Sequence, residues 1–257
     1  MIGEWQRMCT AATFLTRLPW VARGASGDPT ELAASTRYFP LIGALIGAIG
    51  AGVLWLATLA LPADLAALLA LAAMILATGA FHEDGWADAF DGLFGGWTPA
   101  KRLQIMRDSR IGVYGASALC LLLLVKWQAL ANLPAASAAA VLIPACAWAR
   151  WSALPLARCL PYARDDGPNK PVAEGIGRRE LVIASIIAGA TLVPLLLTPQ
   201  GSTLVLAALS ASIIILRASA ALYRRRIGGL TGDCLGATNQ AIEVCWLLLA
   251  VALWQRV

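Results

Sequence analysis

The sequence predicts an all-α membrane protein, a polytopic bundle of about seven transmembrane helices that forms one domain over residues 1–257. Composition is the first reason: 59% of the residues are hydrophobic, 14% are charged and the mean hydropathy is +0.71, whereas soluble domains carry roughly 25% charged residues. The second reason is a series of apolar runs close to the ~20 residues that cross a bilayer. The third is that Lys and Arg concentrate in alternate loops, as in multi-pass proteins.

Seven apolar runs are the predicted spans, and Pro62, Pro134 and Pro199 fall between them, where a residue without an amide hydrogen is tolerated. The spans are residues 39–61, 65–80, 113–133, 136–156, 181–197, 204–222 and 237–254. Residues 1–38 precede them as a cytoplasmic or interfacial segment. An amphipathic helix is expected there, anchored by Trp5, Phe14, Leu15, Leu18 and Trp20.

The distribution of basic residues predicts the orientation. Lys and Arg crowd the N-terminal segment and the loops after spans two, four and six, whereas the loops at the three prolines carry none and only Arg256 lies at the far end. By the positive-inside rule the N-terminus and all polar loops are cytoplasmic. We therefore expect a multi-pass protein of the cell (inner) membrane with its active site on the cytoplasmic face.

Charge and cysteine content exclude two other classes. The formal net charge of +5 is explained by loop orientation and by contact with anionic membrane lipid, so no nucleic-acid partner is expected. The six cysteines are scattered without a CxxC pair, which indicates neither a disulfide framework nor a zinc site.

The most informative segment is AFHEDGWADAFDGLFGGW, residues 80–97, expected to continue from the second span without a break. Asp84, Asp88 and Asp91 lie within about 60° of one another on a helix face. Like charges gathered beside a membrane are costly unless a cation neutralises them, and Mg²⁺ prefers such oxygen ligands. The predicted magnesium ligands are Glu83, Asp84, Asp88 and Asp91; the alternative is a solvated acidic helix end paired with arginines.

A basic segment follows. Thr98 and Pro99 resemble an N-cap and first-turn proline, which predicts a short interfacial helix over residues 99–108. Arg107 and Arg110 flank Asp108 in RDSRIGVYG. Because Arg can pair with phosphate, these three residues are predicted substrate contacts; for Lys101 and Arg102, contact with lipid headgroups is the competing interpretation.

Other polar residues remain open in role. His82, the only histidine, is a candidate general base or hydrogen-bond donor, or a structural residue. In the segment 228–240, Asp233 is a candidate to complete metal coordination or to orient a nucleophile, and Asn239 to bind substrate. Three basic residues within predicted spans face the bundle interior or snorkel, with roles left open: Lys126, Arg150 and Arg217.

The chain resembles the cobalamin synthase family, the adenosylcobinamide-GDP ribazoletransferases, through motifs that recur in family order. They are FLTRLP (14–19), FPLIGALIG (39–47), HEDGWADAFDG (82–92), RDSRIGVYG (107–115) and GDCLGATNQ (232–240). The resemblance implies transfer of adenosylcobinamide phosphate from adenosylcobinamide-GDP to α-ribazole or its 5′-phosphate, with release of GMP. The carboxylates would then bind Mg²⁺ and the diphosphate, while Asp91, His82 or Asp233 would orient or deprotonate the ribazole hydroxyl.

Two other functions fit parts of the pattern. A phosphatidyltransferase acting on a CDP-alcohol also arranges aspartates, glycines and arginine at a cytoplasmic helix end, although its aspartate spacing differs. A cation transporter would place the acidic groups at the membrane midplane between related halves, and no repeat is visible here. Association of the chain with itself stays open.

Overall fold

The computed structural model describes residues 3–19, 24–164 and 170–254. Within them the chain forms fourteen α-helices and no β-strand. The helices are α1 (Glu4–Leu15), α2 (Pro29–Ser35), α3 (Phe39–Ala57), α4 (Ala63–Thr78), α5 (Phe81–Gly95), α6 (Pro99–Ile105), α7 (Val113–Ala131), α8 (Ala135–Trp151), α9 (Ala153–Cys159), α10 (Lys170–Gly175), α11 (Arg178–Ala190), α12 (Val193–Leu196), α13 (Gly201–Ile227) and α14 (Gly232–Trp254).

Six helical segments are long and apolar enough to cross a membrane, which confirms the all-α, multi-pass class. They are Pro29–Ala57, Val113–Ala131, Ala135–Cys159, Arg178–Leu196, Gly201–Ile227 and Gly232–Trp254. A seventh span is obtained only if α4 and α5 count together. At the centre of the bundle α14 packs against α5, α7, α8 and α13.

The expectation that the acidic segment continues the second span is wrong. The axes of α4 and α5 differ by 87°, because Gly79 and Ala80 between them have φ values of 65° and 59°. Successive left-handed residues cannot continue a right-handed helix. The acidic segment is therefore a separate helix of 15 residues, outside the six spans, that packs lengthwise against α7 and α14.

Two other local expectations have different outcomes. The predicted N-cap is confirmed, since the Thr98 hydroxyl oxygen accepts a hydrogen bond from the Lys101 amide at 3.2 Å, and α6 then ends at Ile105, three residues earlier than expected. The segment 228–240 is mostly helical, because α14 begins at Gly232. Asp233 and Asn239 therefore lie on the same helix.

The N-terminal segment is packed onto the bundle. The predicted helix is present as α1, and the Phe14 ring stacks on Phe39 with centroids 5.6 Å apart. Buried Arg37 donates a 2.7 Å hydrogen bond to Glu180 at the start of α11. The predicted anchor Trp20 lies outside the described residues.

Contacts between loops collect many helix ends at one end of the bundle, here called the site end. The Arg102 guanidinium donates to the Arg226 carbonyl at 2.9 Å, and the Ala163 amide donates to the Leu230 carbonyl at 2.8 Å. Together with the Arg37–Glu180 pair, these contacts join the N-terminal segment to the loops that follow α5, α9 and α13.

Candidate active site

The acidic helix α5 presents its carboxylates to three different environments. Asp84 is exposed, Asp88 is half-buried and Asp91 is buried. Partial burial, with the carboxylates of Asp84 and Asp233 nearby, raises the pKa of Asp88 to about 7. The structure thus brings Asp233, far away in sequence, to the face that carries Asp84 and Asp88.

Asp233 is held at this position by neighbours of its own. Its carboxylate accepts a 3.0 Å hydrogen bond from Arg164 and a 3.1 Å hydrogen bond from the Thr231 hydroxyl. Arg164 reaches it because Tyr162 and Leu230 form an isolated parallel β-bridge. Arg164 was not predicted as a site residue from the sequence; its only signal was its place in a basic loop that is predicted to be cytoplasmic.

The Asp91 carboxylate is hydrogen-bonded to the backbone at the start of α7. One carboxylate oxygen accepts from the Gly112 amide at 2.6 Å, and the other accepts from the Gly115 amide at 2.8 Å. These hydrogen bonds attach the RDSRIGVYG segment to the end of α5. Asp91 therefore has a structural role, because both of its carboxylate oxygens accept backbone hydrogen bonds. Its metal-binding or catalytic role stays a prediction.

Glu83 points into a buried polar network. Its carboxylate accepts a 3.2 Å hydrogen bond from Gln240 and lies 3.7 Å from the Lys126 ammonium. Glu243 of α14 completes the network, with one oxygen 2.6 Å from Lys126 and the other accepting from Arg150. These five side chains, here called the buried network, join α5, α7, α8 and α14.

Lys126 and Arg150 were expected either to face the bundle interior or to snorkel. Both face the interior, where they belong to the buried network. Arg217 remains exposed on α13. The sequence analysis missed Glu243 and Gln240. A carboxylate inside the apolar run of a span was the signal that could have found Glu243, because such a group requires a partner.

The basic segment lies on the surface next to the start of α7. The Arg110 guanidinium donates to both carboxylate oxygens of Asp108, at 3.0 and 2.7 Å, and these hydrogen bonds lower the pKa of Asp108 to about 2. Arg107 is exposed on the same loop. Arg102, in contrast, is buried against α13, which leaves little of its surface for contact with lipid headgroups.

His82 and Asn239 are both buried, with 5% and 3% of their surface exposed. Both line an apolar cavity together with Gly232, Leu235 and Gly236. On α14 these cavity residues share one helix face, and Asp233 lies about 110° away from its centre. The predicted catalytic residues are thus divided between the acidic face and this cavity.

The acidic face fits a magnesium ion in one particular mode. Among the described residues no three His, Cys, Asp or Glu side chains are grouped so that they alone could hold a metal ion. Mg²⁺ commonly takes only one or two carboxylates and completes its shell with water and substrate phosphate. Asp84 and Asp88 supply hard oxygen donors for that mode, and a bound cation would favour the ionised form of Asp88, whose pKa is raised to about 7.

Comparison with known proteins gives matches along nearly the whole chain. Residues 7–251 match the family model described as cobalamin-5-phosphate synthase. Similar proteins named adenosylcobinamide-GDP ribazoletransferase occur in Ralstonia nicotianae (45% identity, 93% of each chain), Ralstonia pickettii (40%, 96% of each) and Shewanella frigidimarina (43%, 98% of each). No solved structure matches.

Proposed function

Since the chain belongs to the cobalamin-5-phosphate synthase family, we propose that it transfers the adenosylcobinamide phosphate moiety of adenosylcobinamide-GDP to a free ribose hydroxyl of α-ribazole or α-ribazole 5′-phosphate. GMP is the leaving group, and adenosylcobalamin or its 5′-phosphate is the product. The step closes the nucleotide loop late in cobalamin biosynthesis. The observation that carries the proposal is the convergence of Asp84, Asp88 and Asp233 beside Arg164 at the site end.

Asp84 and Asp88 hold the magnesium ion in this proposal. When bound, Mg²⁺ neutralises the diphosphate and the charge that develops on the departing GMP. Glu83 and Asp91 are left out of the ligand set, because their carboxylates already have buried partners. They hold α5 in place against α14 and α7.

Arg164, Arg107 and Arg110 bind the diphosphate from the basic side. Guanidinium groups pair with phosphate in a bidentate manner and align the phosphorus for attack. To bind the substrate, Arg110 has to break its exposed ion pair with Asp108. The loss is small, because such surface ion pairs contribute about 0–1 kcal/mol to stability.

Asp233 positions the ribazole hydroxyl and accepts its proton. Arg164 and Thr231 fix its carboxylate at the edge of the acidic face. The other two candidates are less suited, since both oxygens of Asp91 are bonded to backbone amides and His82 lies in the cavity behind α14.

The site end faces the cytoplasm of the cell (inner) membrane in this proposal. Support comes from the basic residues, which crowd the loops gathered at that end, while the opposite loops at Pro62, Pro134 and Pro199 carry no Lys or Arg.

The test is release of GMP by the purified protein. With adenosylcobinamide-GDP and α-ribazole we expect GMP only when Mg²⁺ is present, and none after chelation with EDTA. CMP released from a CDP-alcohol would instead indicate a phosphatidyltransferase. Cation flux into proteoliposomes without any nucleotide would indicate a transporter.

Asp84→Asn tests the metal assignment. This change removes a ligand charge at an exposed position, so we expect GMP release to fall at least about 100-fold while the thermal unfolding midpoint is retained. Asp64→Asn is the matched control, because Asp64 is an exposed aspartate at the first turn of α4, outside the acidic face. Full activity in Asp84→Asn would exclude the assignment.

A further inference from the structure

A cavity lies beside the acidic face, between the N-terminal segment, α5 and α14. The centre of a water-sized sphere can occupy about 50 Å³ of it. Three aromatic rings contribute to its wall: Phe14 stacks on Phe39 and meets the edge of Phe81, with ring centroids 5.6 and 5.4 Å apart. The cavity is therefore suited to a flat, largely apolar group.

Three buried polar atoms belonging to the residues around this cavity have no hydrogen-bond partner in the described part of the chain. They are His82 Nδ1, Asn239 Oδ1 and Arg150 Nε. The three residues are 95% or more buried. An unsatisfied buried polar group costs about 1–3 kcal/mol, and native proteins rarely leave several together. Each of these atoms has less than 1 Å² of accessible surface, so its side chain has to turn before a ligand in the cavity can bond to it. His82, Asn239 and Arg150 nevertheless line the cavity, and they offer a ligand a few polar groups in an otherwise apolar site.

The cavity adjoins the acidic face through the first turn of α14. Gly232 and Gly236 line the cavity, and Asp233 lies between them. The backbones of α5 and α14 also meet here, since a Cβ atom at Gly85 would stand 3.2 Å from the Asp233 Cα. A molecule seated in the cavity therefore lies within one helical turn of Asp233.

We propose that the cavity binds the heteroaromatic base of α-ribazole. The inference rests on the proposed function and adds the subsite of the nucleophilic substrate. A benzimidazole is flat and apolar and has one free ring nitrogen, which matches three aromatic rings and a few polar atoms. Its ribose then extends toward Asp233, which accepts the proton of the attacking ribose hydroxyl.

The other parts of the two substrates fit this cavity poorly. A guanine base carries several donors and acceptors and would need more polar partners than the cavity provides. A corrinoid is larger than the whole cavity. His82 and Asn239 are accordingly binding residues for the base, and His82 does not transfer the proton.

Leu235→Phe tests the subsite by filling it. Leu235 lines the cavity from α14, so the larger ring should raise the KM for α-ribazole at least tenfold and leave the KM for adenosylcobinamide-GDP within twofold. Leu248→Phe is the matched control on the same helix, where the side chain is 48% exposed, away from the cavity. It should change neither constant.

A second variant and a binding measurement separate the possible failures. If Leu235→Phe does not fold, Ala153→Leu fills the cavity from α9 and carries the same expectation. Calorimetric titration of α-ribazole into wild type and variant measures binding without turnover. Wild type that binds α-ribazole but releases no GMP contradicts the proposed function alone. The cavity assignment is overturned if the wild type is active but the variants with a filled cavity bind α-ribazole as tightly as the wild type does. It is also overturned if those variants lose binding of adenosylcobinamide-GDP to the same extent as binding of α-ribazole.

Discussion

Glu243 is the residue on which the interior charges of the bundle depend. It lies inside the apolar run of α14 and forms ion pairs with Lys126 of α7 and Arg150 of α8. All three side chains are almost completely buried. Together with Glu83, two cations and two anions balance, so the interior carries no net charge from this group.

Glu243→Gln should destabilise the protein strongly. Removing one member of a buried ion pair leaves uncompensated charge and typically costs about 3–5 kcal/mol. Chemical unfolding in detergent micelles, followed by circular dichroism, measures the change. Glu174→Gln is the control, since Glu174 is exposed and lies 4.0 Å from Lys170, in a surface pair of a kind worth about 0–1 kcal/mol. A Glu243→Gln protein as stable as this control would contradict the structural role.

Sequence patterns predicted the chemical character of single residues, but they did not predict the hydrogen-bond and ion-pair partners of those residues. The spacing of Asp84, Asp88 and Asp91 correctly placed them on one helix, but it could not show that Asp91 is bonded to the backbone of α7. Lys126 and Arg150 were expected either to face the bundle interior or to snorkel, and no partners were predicted for them. Pairings between residues roughly 40 to 160 positions apart arise from tertiary packing, which helical periodicity does not encode.

At the scale of elements, the junction of α5 with α7 determines the geometry of the acidic face. A Cβ atom at Gly115 would overlap the Asp91 carboxylate and would stand 2.7 Å from the Ala87 carbonyl oxygen. The absence of a side chain therefore lets the two helices approach and lets Asp91 reach both amides. Small residues in membrane bundles commonly serve such close contacts.

Gly115→Ala should separate α5 from α7. Overpacking of this kind costs about 1–3 kcal/mol, and displacement of α5 should also reduce GMP release at least tenfold. Gly52→Ala is the control, because a Cβ atom at Gly52 in α3 would meet no atom within 4 Å. The GMP-release activity and the melting temperature of the two variants, measured in parallel, test whether the close approach of α5 to α7 requires glycine at position 115. A Gly115→Ala enzyme indistinguishable from Gly52→Ala would show that the close approach is unimportant.

The predicted elements were mostly correct, and the main error has a local cause. The apolar runs and the Thr98 cap predicted the long helices within about five residues and α6 three residues too long, but α2 and α10 were not predicted, and α9 and α12 were not separated from the spans before them. The break between α4 and α5 was missed because Ala80, a strong helix former, adopts a left-handed conformation that its side chain disfavours. The glycine at position 79 was the only sequence signal for it.

At the scale of the molecule, the exposed arginines at the site end offer a test of orientation. Arg224 and Arg225 are exposed at the end of α13, while the loops of the opposite end carry no trypsin site. Trypsin should cut the protein within minutes in inside-out membrane vesicles and leave it intact, apart from the extreme C-terminus, in right-side-out vesicles. Digestion in both kinds of vesicle after adding detergent is the control. Internal cleavage in sealed right-side-out vesicles would reverse the proposed topology.

The position of Glu243 also bears on biosynthesis. A ribosome delivers α7 and α8 to the membrane about 90 residues before Glu243 leaves its exit tunnel. During that interval the nascent chain holds Lys126 and Arg150 without their main counter-ion. We expect these two helices to stay near the lipid surface until the helix that carries Glu243 arrives. Synthesis of α14 thus supplies both the counter-ion of the bundle interior and the Asp233 carboxylate of the candidate site.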